Sequence, residues 1–250
     1  MINSSNKIII SIEGNIGVGK TTFIDILKSK FTNCDIVYEP VDIWKQITDL
    51  DGKNILQTFY ENIPRWGYSF QNLAYLTRMM KIEDTIKNSN SKYIFLDRSL
   101  GTDKNVFEKM LYDNGQLNEL EHSMYNLWCD FYHKYIRSQN NIIYIYLHAN
   151  SETCMKRIKK RNRIEEENIK IDYLEKLNEY HDSWLLNDEM KDNVVVIDCN
   201  EEFETNEKKQ EEMINLINSK FNKIFINNKI IIENESDIDN NRLFIFDYIV

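Results

Sequence analysis

The 250-residue chain predicts an α/β fold, a five-stranded parallel sheet with helices on both faces. Three observations carry that expectation. Short apolar, β-branched runs recur at 7–12, 35–38, 93–96, 142–147 and 194–197, as suits strands buried on both faces. Stretches with helical spacing lie between them, and such alternation favours a parallel sheet covered on both sides. Finally, Gly14-Asn15-Ile16-Gly17-Val18-Gly19-Lys20-Thr21-Thr22 stands where the first strand must turn into the first helix. It holds three of the chain's seven glycines within six residues.

This segment reads G-x-x-x-x-G-K-[ST]. Small residues permit a close turn that wraps backbone N–H groups around phosphates, and the helix over 22–31 adds its positive N-terminus. Lys20 is placed to reach β and γ phosphates, and the Thr21 hydroxyl to ligate Mg²⁺. The motif points to a bound nucleoside triphosphate. In a parallel sheet, ligands gather at the C-terminal ends of the strands, and two acidic motifs fall there.

The second run ends in Glu39-Pro40. Proline keeps the residue before it out of the α conformation, so Glu39 stands extended across from the glycine loop. It is a candidate general base on a hydroxyl, or else a strand-end charge facing water. Helical spacing then covers 70–87. After the third run comes Asp97-Arg98-Ser99. An Asp there holds Mg²⁺, directly or through water, or caps the next helix; Arg98 can hold an oxygen near the reacting centre.

A helix over 120–137 precedes the fourth run, and one over 151–161 follows it. The second contains the one strongly basic run, Lys156 to Arg163. Arg157 and Arg161 share a helix face, with Arg163 just beyond, an arrangement that closes over a transferring phosphoryl group or forms a solvated basic face. Glu165-Glu166-Glu167 follows, able to reach a sugar hydroxyl or to offset the basic run. Further helices are expected over 171–185 and 204–221. Apolar runs at 230–232 and 243–250 mark a short extension that fits either an added edge strand or a partner contact.

Bulk properties exclude several classes. A net charge of −9 argues against a duplex-binding protein, which needs a broad basic face. No apolar stretch approaches the roughly 20 residues of a membrane helix. Residues 1–6 carry no basic region, so neither a signal nor a transit peptide is expected. Four scattered cysteines without a C-x-x-C pair read as reduced thiols in a cytoplasmic protein.

Taken in order, these motifs resemble the deoxyribonucleoside kinase family, which has the phosphate-loop NTPase fold of nucleoside and nucleotide kinases. The matching residues are Gly14 to Thr22, Glu39-Pro40-Val41 with Trp44, Tyr60, Arg65-Trp66, Phe70-Gln71, Asp97-Arg98-Ser99, the basic run, Glu165-Glu166, Tyr173-Leu174 and His181 to Leu185. The resemblance covers about 7–222. It implies 5′-phosphorylation of 2′-deoxynucleosides by ATP with Mg²⁺ at Thr21 and Asp97. Glu39 would take the 5′-hydroxyl proton, and Arg98 would hold both. Tyr60 and Glu166 would bind the 3′-hydroxyl. Gln71 would bond the base edge, with Phe70, Phe107 and Trp44 forming the pocket. Arg157, Arg161 and Arg163 would hold phosphates in a lid at about 156–167, and Glu202 and Phe203 would lie near the donor adenine. Arg78 and Asp103 match the branch that accepts cytosine and purines, because an Asp can accept from an exocyclic amino group. Asp97 departs from the Glu that is common in the family. The resemblance also implies a homodimer, with the helix at 124–135 able to serve, small-molecule partners and no nucleic acid or membrane. A kinase domain would occupy 1–224 and an extension of unassigned role 225–250. Two alternatives are a nucleoside monophosphate kinase of thymidylate-kinase type and a catalytically silent relative serving as a structural subunit.

Overall fold

A computed structural model describes residues 7–31, 33–135 and 142–227. The strands of these residues are β1 Ile8–Glu13, β2 Cys34–Val37, β3 Tyr93–Asp97, β4 Ile142–His148 and β5 Val194–Asp198. All pair in parallel, in the order β2-β3-β1-β4-β5. Each lies within one residue of its predicted run. Strand periodicity divides the core: Ile8, Ile10, Ile12, Tyr93 and Phe95 join the larger cluster, while Ile9, Ile94 and Leu96 point to the opposite face. Burying each isoleucine contributes about 1.5–3 kcal/mol. Burial on both faces holds for every residue of β1 and β3, but edge strand β2 is mostly half-buried and edge strand β5 exposes Val196 and Asp198. An edge strand lacks a neighbour to complete its cover.

Ten α-helical segments lie among the described residues: α1 Lys20–Lys30, α2 Val41–Gln46, α3 Ile55–Glu61, α4 Ile63–Asn88, α5 Leu100–Thr102, α6 Lys109–Asp113, α7 Glu119–Tyr135, α8 Ser151–Arg161, α9 Ile171–Leu185 and α10 Glu207–Asn227. A π turn, Asp103–Glu108, links α5 to α6, and a 3₁₀ turn, Ile164–Glu166, follows α8. Asn54 and Gln57 form a reciprocal capping box at α3. Helix α4 starts seven residues before its predicted 70–87 span because Asn62 caps it and Pro64 fits its first turn. Helix α10 starts later than 204 because Asn206 accepts from the Lys209 amide at 3.1 Å. Residues 136 and 137 and both apolar runs beyond 228 lie outside the described residues.

Candidate functional site

The C-terminal ends of β1 and β3 open into a cleft of about 410 Å³. Its floor is the glycine loop between β1 and α1. Gly14, Gly17 and Gly19 all have positive φ, and a Cβ on Gly17 would lie 2.5 Å from the Cys154 carbonyl oxygen. Glycine is required there by backbone and space alike. No side chain caps α1, so its first N–H groups remain available to an anion. Lys20 Nζ donates to the Gly14 and Asn15 carbonyls at 3.1 and 2.8 Å. Burial, with Arg98 nearby, lowers Lys20 to about 7. Asn15 turns away from the cleft: its Nδ2 donates to the Leu174 carbonyl at 2.8 Å and to Asn178 Oδ1 at 2.7 Å, tying the loop to α9.

Above the loop, four charged side chains drawn from β2–α2, α4, β3–α5 and the π turn form one network. Arg98 Nη1 reaches Glu39 Oε1 and Oε2 at 3.0 and 3.2 Å, and its Nη2 reaches the Gly14 carbonyl at 3.2 Å. Arg78 Nη2 lies 2.9 Å from Glu39, its Nε 2.8 Å from Asp103, and its Nη1 2.8 Å from the Asp97 carbonyl. Burial pushes Glu39 up, but Arg98, Arg78 and Lys20 overcome it and hold the carboxyl near 2. Burial pulls Arg78 down, but Asp103 and Glu39 outweigh it and hold the guanidinium above its ordinary range. Arg98 sits at φ 67, a left-handed conformation costing a non-glycine residue about 1–3 kcal/mol.

Thr21 Oγ1 donates to Asp97 Oδ2 at 3.2 Å, while the buried Asp97 Oδ1 has no protein partner. Burial raises the Asp97 pKa. Among the described residues no cluster of three His, Cys, Asp or Glu side chains could hold a metal alone. A hydroxyl beside a carboxylate with a spare oxygen fits Mg²⁺, which takes few protein ligands and completes its shell with water and phosphate.

The opposite half of the cleft is aromatic. Phe70 stacks on Phe59 at 4.6 Å between centroids and meets the edge of Trp44 at 5.2 Å. Phe107 lies under the Arg98 guanidinium at 5.3 Å. Gln71 Oε1 and the Tyr173 hydroxyl are buried without protein partners, and both residues line the cleft. Tyr60 lines it too, edge-on to Tyr173 at 6.3 Å.

The arginines of the basic run divide into two groups. Arg157 donates to the Val18 carbonyl at 2.8 Å and the Glu201 carbonyl at 2.9 Å, and lies over the Phe203 ring at 5.4 Å. Arg161 Nη2 bonds both oxygens of Glu166 at 2.6 Å, with Arg163 3.6 Å away. The arginines thus meet the phosphate loop and Glu166. Asn162 makes the intervening bend at φ 52. Thr22, Glu202 and Phe203 also line the cleft.

Sequence reasoning missed Phe59, whose apolar position in α3 reads as ordinary core, and Lys45, which reaches Glu165 at 3.1 Å. It also passed over Glu13. Glu13 is fully buried and accepts from the Ser99 amide at 3.0 Å and the Ser99 hydroxyl at 2.7 Å. The signal available was a charged residue ending a strand whose other positions are all isoleucine except Ser11.

The glycine loop, Glu39 and the aromatic side chains line one cleft, the arrangement of a kinase. The chain belongs to the deoxynucleoside kinase family, whose model matches residues 10–222, and is accordingly a phosphotransferase. It is 35% identical over 219 residues to deoxycytidine kinase of Homo sapiens, covering 78% of this chain and 84% of that one. A probable deoxycytidine kinase of Fowlpox virus is 37% identical over 192 residues, covering 76% and 77%. The mitochondrial deoxyguanosine kinase of Xenopus laevis is 34% identical over 243 residues, covering 86% and 91%.

Proposed function

We propose that this protein transfers the γ-phosphoryl group of ATP to the 5′-hydroxyl of a 2′-deoxynucleoside, with deoxycytidine or purine deoxynucleosides preferred over thymidine. The observation that carries the reading is the Arg98–Glu39–Arg78–Asp103 network, which meets the phosphate loop at the Gly14 carbonyl and lines the same cleft as the aromatic side chains. Glu39 takes the hydroxyl proton while Arg98 holds the 5′-oxygen in line. Asp103, oriented by Arg78, accepts from a base amino group, and Gln71 bonds the base edge. Tyr60 and Glu166 take the 3′-hydroxyl, while Phe70, Phe107 and Trp44 pack against the base. Lys20, Arg157, Arg161 and Arg163 neutralise the charge spreading over the phosphates. Thr21 and Asp97 would hold Mg²⁺, which when bound would shield the phosphate oxygens. Relatives named for deoxycytidine and deoxyguanosine support the amino-base preference.

A monophosphate-kinase reading is disfavoured because an acceptor already carrying a phosphate is repelled by Glu39. A silent structural subunit would have little use for a half-buried carboxylate held low by two guanidinium groups beside the phosphate loop. We place the catalytic unit at 1–224 and assign the protein to the cytoplasm. It pairs as a homodimer through α7, where Leu120, Met124, Leu127, Trp128 and Phe131 are exposed together. The decisive assay offers MgATP with deoxyadenosine, deoxyguanosine, deoxycytidine, thymidine and one ribonucleoside, using Glu39→Ala as control. Turnover on amino-bearing deoxynucleosides that is lost in the control supports the reading. Thymidine as best substrate breaks the preference, and no Glu39-dependent turnover breaks the whole.

A further inference from the structure

Glu13 is the last residue of β1 and the one before the first glycine of the phosphate loop. It is fully buried, yet it takes no direct part in the chemistry proposed above. All four hydrogen bonds that its carboxylate accepts among the described residues come from neutral donors. Oε1 takes the Ser11 hydroxyl at 2.6 Å, the Ser99 amide at 3.0 Å and the Ser99 hydroxyl at 2.7 Å, and Oε2 takes the Thr102 hydroxyl. Both oxygens of this buried carboxylate are thus hydrogen-bonded, as buried polar groups require.

These partners are not scattered. Ser99 caps α5 by accepting from the Gly101 amide at 3.1 Å, and Thr102 is the last residue of that short helix. Immediately before them stands Arg98 in its left-handed conformation. Such a conformation persists only when its surroundings over-determine it. The Arg98 amide is fixed to the Ile12 carbonyl at 3.1 Å on one side, and the next amide, Ser99, is fixed by Glu13 on the other. The backbone of Arg98 is thereby clamped to the end of β1. Its guanidinium is carried to Glu39 and to the carbonyl of Gly14, the residue that follows Glu13.

We propose that Glu13 is a positioning residue that locks the Arg98 turn to the phosphate loop, so that the group holding the acceptor and the loop holding the donor keep a fixed separation. The inference rests on the role given above to Arg98 and Glu39. Glu13 acts only through them. The same Glu13 clamp starts the helix that leads, one residue beyond Thr102, to Asp103, so the base-recognising carboxylate shares this anchor.

Four variants test the proposal by steady-state kinetics, pH profile and melting temperature with MgATP and the best deoxynucleoside. Glu13→Gln and Thr102→Val each loosen the clamp and should lower kcat by about 10–100-fold, as a misplacement of up to about 1 Å does. Thr102→Ser keeps the hydroxyl and should restore kcat to within about threefold of the parent. The distinguishing readout is the acid limb of kcat/KM. Glu39 faces Arg98, Arg78, Lys20, Asp97, Asp103 and Tyr60, and a displaced Arg98 removes the strongest of the attractive charges. The acid limb should therefore move up by at least about one pH unit in Glu13→Gln and Thr102→Val. A lower melting temperature with kcat and the acid limb unmoved would assign Glu13 to folding alone and overturn the proposal. Parent-like kcat in Glu13→Gln and Thr102→Val, with Arg98→Ala strongly impaired, would overturn it as well. Should Arg98→Ala itself turn over normally, the role of Arg98 fails first and this inference with it. If Glu13→Gln does not fold, the Thr102 pair decides.

Discussion

Arg78 is the hub of the charged network, and its replacement offers the sharpest test of how the site works. Arg78 and Asp103 are both 2% exposed. Arg78→Met therefore leaves Asp103 as a buried charge without its cation, while Glu39 loses one of two guanidinium partners. Removing one member of a buried pair costs about 3–5 kcal/mol, much of it the penalty of the charge left behind. Adding Asp103→Ala removes that stranded charge, so the double variant should be the more stable of the two by about 2 kcal/mol. Around the full cycle the coupling energy should come out near 2–3 kcal/mol. Urea denaturation of the four proteins at neutral pH measures it. The same double variant exchanges a hydrogen-bonding base edge for an apolar one. Thymidine should then gain on deoxycytidine in kcat/KM ratio by about 100-fold or more, because a polar site discriminates far more strongly than an apolar one. If Arg78→Met is as stable as the double variant, the residues do not act as a pair. If the pair couples but thymidine gains nothing, the ion pair is structural and the base preference lies elsewhere.

Glu39 has a folded-state pKa near 2 against an ordinary 4.5, so its contribution to stability is present above 4.5 and is lost as pH falls through 2. The gap in unfolding free energy between the parent and Glu39→Gln should shrink by about 3 kcal/mol from pH 6 to pH 2; denaturant titrations that give a pH-independent gap would refute the network's hold on Glu39. Lys20, lowered to about 7, is mostly neutral at pH 8 and should be recharged when donor phosphates arrive. Calorimetry in buffers of different ionisation enthalpy should register uptake of close to one proton per donor at pH 8, less at pH 6, and none in Lys20→Met; equal uptake in that variant would assign the proton elsewhere. On α7, Leu127 and Trp128 are 72% and 61% exposed, so Leu127→Glu with Trp128→Glu should convert a dimer to a monomer in sedimentation. A parent protein that sediments as a monomer would remove the proposed interface.

Much of the frame was legible because its signals are local. The strands announce themselves as apolar runs because a parallel sheet buries both faces, and the glycine loop because backbone must approach phosphate. Glu39 and Asp97-Arg98 were legible from their place at strand ends. What local pattern could not convey was partnership across distance. Nothing near Arg78 in sequence shows that its three nitrogens divide among Asp103, Glu39 and the Asp97 carbonyl. Asn15 lies within the phosphate loop and yet faces α9. Phe59 was not singled out by any motif; it is core and also lines the cleft, stacked on Phe70. Helix starts were mislaid where a polar cap, Asn62 or Asn206, outweighed the hydrophobic spacing.

A carboxylate held near 2 is a weak proton acceptor, which at first sits poorly with its proposed role as general base. The efficiency of such catalysis follows the match between pKa and operating pH, and Glu39 lies far below neutral. The nature of phosphoryl transfer resolves this. In a loose transition state the acceptor oxygen has formed little bond, its proton is still strongly held, and the demand on a base comes late. A permanently ionised, fixed carboxylate then serves best as an orienting acceptor, aligning the hydroxyl lone pair with the leaving group. The two arginines that depress Glu39 are what fix it: each supplies a hydrogen bond of 2.9–3.0 Å to Oε1. The low pKa is in this view a by-product of positioning. It follows that removing Arg98 should harm the reaction through geometry even though it leaves a stronger base, whereas a site limited by proton transfer would be helped by the same change.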